Sequence, residues 1–232
     1  MNSRQRILAA IIHSEPDGIP VDLGATPSSG ISAIAYDNLL RILPVKDKRN
    51  WVYDVVQQVA QPSDEILDYF RIDTVDLGRT FNTQDCDWYD YTLLNGGIAQ
   101  QPTWFRPHKQ SDNSFLANKG DEAIAIMPAT AISYDQIVFP FQDGYPAHYG
   151  ANLDEAMGRI HWAALAHSPW DHAGEADFWE KLRANALQLR ATSDRAIVLS
   201  AGCNLFEWGT FVRRLDHFLV DLKRAPAEVE RF

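Results

Sequence analysis

Apolar residues recur along this chain at two spacings, and the switches between them mark out its elements. From Ser3 to about His13 the positions Ile7, Leu8, Ile11 and Ile12 share one face of a helix. Pro16 and Gly18 break that helix. Ile19–Leu23 is then short and apolar with one acid, as expected of an inner strand, and it leads into a loop without bulky side chains, Gly24 to Gly30. A helix from about Ser32 to Leu43 follows and is stopped by Pro44. Trp51 to Val59 is apolar and β-branched, but Gln57 and Gln58 leave strand and helix both open. Pro62 and Ser63 start a helix through Phe70, with Asp64 and Glu65 in the first turn, where the helix dipole favours acids. A second inner strand, Thr74–Leu77, ends at Gly78.

From Trp88 to about Phe141 the helical spacing disappears. Short alternating runs (Tyr89, Tyr91, Leu93; Phe115; Ile124, Ile126) are separated by turn sequences at Asn95-Gly96-Gly97 and Asn118-Lys119-Gly120. This pattern predicts an antiparallel β-meander inserted at about 88–141, either a lid or interaction surface or a plain cover over one end of the fold. A helix then runs from a capping-box-like start at Asn152-Leu153-Asp154-Glu155 to His167, where Ser168-Pro169 ends it. A longer helix, about Glu175 to Ala191, carries Phe178, Leu182, Leu187 and Leu189. Arg195 to Ser200 is a third inner strand, ending in Ala201-Gly202, and helices follow over about Leu205 to Leu219 and beyond Pro226.

Three inner strands, each followed by a helix, predict an α/β fold of TIM-barrel (β/α) type. A closed barrel needs eight strands over about 250 residues. The expectation is therefore an incomplete barrel: residues 1–232 as roughly its first three to four βα units, with the meander inserted, and the remainder either lost or supplied by a complementing chain.

Composition narrows the function classes. With 46% hydrophobic, 11% aromatic and 22% charged residues the chain has material for a sizeable core. A net charge of -10, with no clustered Lys or Arg, argues against a nucleic-acid surface. The apolar run Ile7–Ile12 is shorter than a signal core, and no stretch approaches the roughly 20 apolar residues of a membrane span. A soluble cytoplasmic protein is the expectation, with Cys86 and Cys203 as free thiols.

Chemistry is expected where the three strands end. Asp22 with Gly24, Asp76 with Gly78, and Ser200 with Gly202 and Asn204 would converge on one mouth if the strands are parallel neighbours. Asp22 and Asp76 are the catalytic candidates, as acid and base or as holders of a ligand's positive groups. The alternative for Asp22 is a hydrogen bond to the loop it precedes. Gly24, Thr26, Ser28 and Ser29 in the first loop, and Gly78, Gly202, Asn204 and Trp208 at the later ends, are candidate substrate contacts, although aromatic residues such as Phe206 and Trp208 are more often packing than ligand contacts. His161, His167 and His172, spaced six and five apart, fit no metal clip and read as surface or packing residues.

The segments RQRILAAIIHSEPDGIPVDLG, GISAIAYDNLLRIL, WVYDVVQQVAQPSDEILDYFRIDTVDLG and LSAGCNLFEWGTFVRRLDHFLVDLKRAP, in that order, resemble the N-terminal part of uroporphyrinogen-decarboxylase-like (URO-D-like) proteins. The likeness is to the divergent branch near corrinoid-dependent methyltransferases. It implies a TIM barrel and methyl transfer between a small methylated substrate and a corrinoid carried by a partner protein. Zinc and the corrinoid are implied by the resemblance alone, and the zinc ligands of that branch come from later in the chain. Decarboxylation of a tetrapyrrole-like acid is the alternative, but the loop GATPSSGIS lacks the arginines with which true uroporphyrinogen decarboxylases grip carboxylates. A non-enzymatic binding or assembly subunit, as a homo-oligomer or with a complementing chain, is the third reading, since exposed parallel edges recruit partners.

Overall fold

The computed structural model describes residues 1–148, 150–202 and 204–232, with the backbone alone at 150–152. The chain divides into two compact units, residues 1–105 with 167–200, and residues 106–166 with 201–232.

In the first unit, helix α1 (Ser3–Ile11) starts from a reciprocal cap. Asn2 accepts from the Gln5 backbone N–H at 2.9 Å, and the Gln5 side chain accepts from that of Asn2 at 2.9 Å. Strand β1 (Ile31–Ser32) and helix α2 (Ala33–Ile42) follow, with Ser32 as cap. Residues 51–60, ambiguous by spacing, form a tight antiparallel pair of wholly buried strands, β2 (Val52–Asp54) and β3 (Val59–Ala60), with Gln58 in the left-handed region at φ 54°. Asp54 makes that reversal by accepting backbone N–H bonds from Val56 at 3.0 Å and Gln57 at 2.9 Å. The sheet order is β1-β3-β2. Helix α3 (Asp64–Tyr69) is capped by Ser63 and buries Ile66 against Tyr36, Leu40 and Ala60. Strands β5 (Trp88–Thr92) and β6 (Ile98–Pro102) form a hairpin turned at Gly96, φ 78°, and a single bridge between Trp51 and Gln100 ties it to the residue before β2.

Strand β4 (Thr74–Asp76) and β11 (Ala196–Val198) form a two-stranded parallel sheet, in register Thr74 with Ala196 and Asp76 with Val198. The Leu77 N–H continues the ladder to the Val198 carbonyl at 2.8 Å. Helix α6 (Phe178–Thr192) buries Phe178 and Leu182 against Leu77 and Phe81, while Leu187, on the expected apolar face, is exposed.

In the second unit, β7 (His108–Lys109), β8 (Phe115–Lys119), β9 (Glu122–Met127) and β10 (Asp135–Gln136) make an antiparallel sheet in the order β10-β9-β8-β7. Helix α4 (Gly150–Gly158) begins two residues before Asn152, whose expected capping side chain lies outside the described residues, as does Cys203. The expected single helix to His167 breaks after Gly158, leaving α5 (His161–Ala164). The helix expected over 205–219 is likewise two, α7 (Leu205–Arg213) and α8 (Leu215–Arg224), parted by Arg214 at φ 68°, before α9 (Pro226–Arg231). Phe141, Ala156, Ile160 and Val212 form this unit's core.

The incomplete TIM barrel is not what the chain forms. Among the described residues the βα repeat is missing: apart from the single parallel bridge between Trp51 and Gln100, one pair of strands is parallel and every other strand pair is antiparallel. The expected first strand shows why. Pro20 has no N–H, and the Val21 N–H is taken by the Asp73 carboxylate at 3.0 Å instead of a neighbouring carbonyl. Only the Asp73 N–H to Val21 carbonyl bond, 2.8 Å, remains of a ladder, and Ile19 is 88% exposed. The apolar stretch 51–60 satisfies its backbone by folding on itself and on β1, so it adds no parallel strand either. The meander is in turn two separate sheets, one in each unit.

His161 is buried, with its Nδ1 3.0 Å from Gln136 Oε1, and burial pushes its pKa down from 6.5 to about 4. A histidine held neutral by burial contributes stability that is present above the unfolded value near 6.5 and is lost as pH falls toward 4. Chemical unfolding of the second unit is expected to weaken by on the order of 2 kcal/mol between pH 7 and 4. The dependence on this group should disappear in His161→Gln, read by urea midpoints at the two pH values.

Candidate functional site

Strand geometry decides which side chains meet at the end of β4. Alternation sends Val75 to the cluster of Leu67 and Ile72, and Thr74 and Asp76 together to the opposite face. Asp22 joins them there, accepting the Thr74 hydroxyl in a short hydrogen bond. It also accepts the Ala25 N–H at 3.2 Å, so Asp22 both caps its own loop and faces the strand. Asp22 thus bonds the strand that carries Asp76, although residues 19–23 form no strand of their own.

Asp76 is buried, and its pKa is pushed up to about 6 chiefly by desolvation. The Gly78 N–H, donated to Oδ1 at 3.0 Å, and the fields of His167 and Arg79 pull the other way without cancelling it. Tyr53 of β2 lies in the field of Asp76, Asp54 and Asp22, and its phenol is held far above the usual range by burial and then by those charges. Its buried hydroxyl has no hydrogen-bond partner among the described residues. His167 packs edge-on to the Tyr53 ring, centroids 5.5 Å apart. Its Nδ1 is 2.8 Å from the Ser168 carbonyl, which can only accept, so the neutral ring carries its proton there and leaves Nε2 as an acceptor. The ring contact with Tyr53 agrees with the packing role expected of this histidine, and it acts on Asp76 through its field; just after it the chain turns back at Ser168-Pro169.

Gly78 makes this reversal possible. A Cβ at position 78 would stand 2.2 Å from the Ser168 carbonyl oxygen and 2.7 Å from Asp76 Oδ2. Behind it, Asn82 donates to Ser168 Oγ at 2.9 Å and to Asp171 Oδ2 at 2.7 Å, while its own oxygen faces His172 Nε2 at 2.9 Å. Trp170 Nε1 donates to the Ser200 carbonyl at 2.6 Å, fixing the end of β11. Sequence spacing carried no sign of Tyr53, His167 or Asn82, which reach the site from three separate segments.

Other candidates serve the backbone. Thr26 and Ser29 bond each other's main chain, with Thr26 N–H to Ser29 Oγ at 3.3 Å and Ser29 Oγ to the Thr26 carbonyl at 3.1 Å. Ser28 lies in the same turn, and Gly24 at φ 76° closes it by donating to the Ser29 carbonyl at 3.0 Å. Gly202, Asn204 and Trp208 belong to the second unit, where Trp208 Nε1 donates to the Gly202 carbonyl at 3.0 Å and Asn204 bonds Glu207. Cys86 is an exposed free thiol.

Among the described residues no three His, Cys, Asp or Glu side chains gather as a metal site, so no residue is assigned to zinc or to a corrinoid. No helix among them is long and apolar enough to cross a membrane. Comparison with known protein families, curated proteins and solved structures finds no match to this chain.

Gly78→Ala is expected to destabilise the first unit by about 3 kcal/mol, because backbone rather than a flexible side chain meets the added methyl. By pressing on the Ser168 carbonyl and the Asp76 carboxylate, the substitution should also shift the Asp76 titration seen by carboxyl NMR.

Proposed function

We propose that this chain carries the acid–base part of a small-molecule site in a URO-D-like enzyme, in the branch related to corrinoid-dependent methyl transfer. The single observation that supports this most is Asp76: a buried carboxyl that titrates near 6, on one face with Asp22 and beside Tyr53 and His167. A general acid works best with a pKa near the operating pH. When a substrate heteroatom gives up a methyl group it keeps the electron pair of the broken bond and takes a proton. Asp76 in its protonated form supplies that proton, and the neutral Tyr53 hydroxyl donates a hydrogen bond to the same leaving atom. Only the proton side of the reaction is assigned to residues of this chain. The loop from Gly24 to Gly30 brings no arginine, so decarboxylation of a tetrapyrrole-like polyacid gains no support from it.

The test is methyl transfer from a panel of small O-, N- and S-methyl compounds to reduced cobalamin, followed by the change in corrinoid absorbance. Transfer is expected to fall as pH rises through about 6, where Asp76 loses its proton, and Asp76→Asn should lose about 10²–10⁴-fold. No transfer from any compound at any pH would favour a binding or assembly subunit. Transfer unaffected by Asp76→Asn would remove Asp76 from the chemistry.

The same group makes a stability prediction with its own sign. A carboxyl whose pKa is raised by folding binds its proton more tightly in the native state, so stability is highest below the unfolded value near 4 and falls as pH rises through about 6. Asp76→Asn is therefore expected to be more stable than the parent at pH 7, by on the order of 2 kcal/mol, and close to it at pH 4, as read from urea unfolding.

A further inference from the structure

A cavity of about 300 Å³ in the first unit lies against the other side chain that leaves the turn after β4, Arg79. Its lining is charged on paper, but most of that charge is already spent. Arg49 holds Asp47 with Nε at 3.0 Å and Nη2 at 2.7 Å. Glu65 Oε2 accepts the backbone N–H groups of Lys46 at 2.7 Å and Asp47 at 2.8 Å. Arg79 differs. Its side chain is 14% exposed, and among the described residues its guanidinium has one partner, Asp64, at 3.1 Å and without hydrogen-bond geometry. Asp64 is 76% exposed in the first turn of α3, so it can turn to water at little cost; such surface pairs contribute roughly 0–1 kcal/mol. A half-buried fork of five N–H donors is therefore held by a carboxylate that is free to leave it.

Neutral donors surround the same space. The Gln61 side chain lines the cavity and bonds no other described residue. Thr83 Oγ accepts Gln84 Nε2 at 3.1 Å and so keeps its own proton to give, whereas the Ser63 hydroxyl accepts the Ile66 N–H at 3.4 Å and is bonded to the Tyr36 phenol. Trp51, the one large apolar wall, is covered on both faces, by Trp88 at 4.8 Å between centroids and by the Arg49 guanidinium at 4.6 Å. It offers no stacking platform, so recognition falls to the polar groups. From this donor set we propose that the cavity is a binding site for a small oxyanion, a carboxylate or phosphate group of a compact polar molecule, which takes Arg79 from Asp64 and is held further by Gln61 and Thr83. Arg79 also acts on Asp76 through space, but occupancy of this cavity is read without any activity.

Calorimetric titration of the whole chain with acetate and with inorganic phosphate tests it, the two arms separating a carboxylate from a phosphate ligand. One of them is expected to bind saturably at a single site. Arg79→Gln should weaken that binding at least tenfold, with Arg79→Lys intermediate because it keeps the charge and loses the fork. Asp64→Asn, which removes the competitor, should tighten it a few-fold. Unchanged circular dichroism and unfolding midpoints in these variants establish that folding is intact. Binding of neither anion, or binding insensitive to Arg79→Gln, overturns the proposal.

Discussion

The three residue pairs that join β4 to β11 hold together everything chemically unusual in the first unit. They fix the height of Asp76 against Val198, and the Leu77 bond carries the register one step further into the turn. A parallel pair this short has little intrinsic stability. It is held from outside by Phe178 and Leu182 on Leu77, and by Leu67 and Ile72 on Val75. Asp76 is buried on the opposite face of the strand, and that burial is what raises its pKa.

Two side chains within one short stretch, Asp76 and Arg79, meet different neighbours and different needs. Asp76 is desolvated and kept partly neutral, while Arg79 keeps its charge and lends some of it to Asp76 through space. The acids around them are mostly structural: Asp54 reverses β2 into β3, Asp73 anchors Arg6 and the Val21 N–H, and Asp47 holds Arg49. The acidic composition is in this respect a set of backbone and arginine partners, which is why a count of carboxylates says little about where the chemistry lies.

Legibility in the sequence followed the range of the forces involved. Local signals read well: Ser63 capping α3, Pro44 after α2, glycine at the turns after β5 and β8, and the β4 and β11 runs themselves. The acids at the end of β4 and before the first loop were visible from their place beside glycine. Pairing was not. Ile19–Leu23 has the composition of an inner strand, but Pro20 and the Asp73 side chain consume its hydrogen bonds, and 51–60 prefers its own antiparallel reversal to a parallel neighbour. The barrel expectation failed on those two competitions. Tyr53, His167 and Asn82 were illegible for a related cause, since each owes its position to a contact more than 80 residues away or to burial that composition does not encode.

Gly78 carries a consequence for how such a sequence can change. Because the Ser168 carbonyl occupies the place where any side chain at position 78 would begin, substitution there is tolerated only together with a shift of the 167–172 segment. That segment brings His167, the Ser168 and Asp171 partners of Asn82, and the Trp170 clamp on β11. A single missing methyl thus locks two distant stretches into one inherited block. Homologous chains that keep glycine here can drift freely in the loops between, whereas a chain with alanine must have rebuilt both stretches at once.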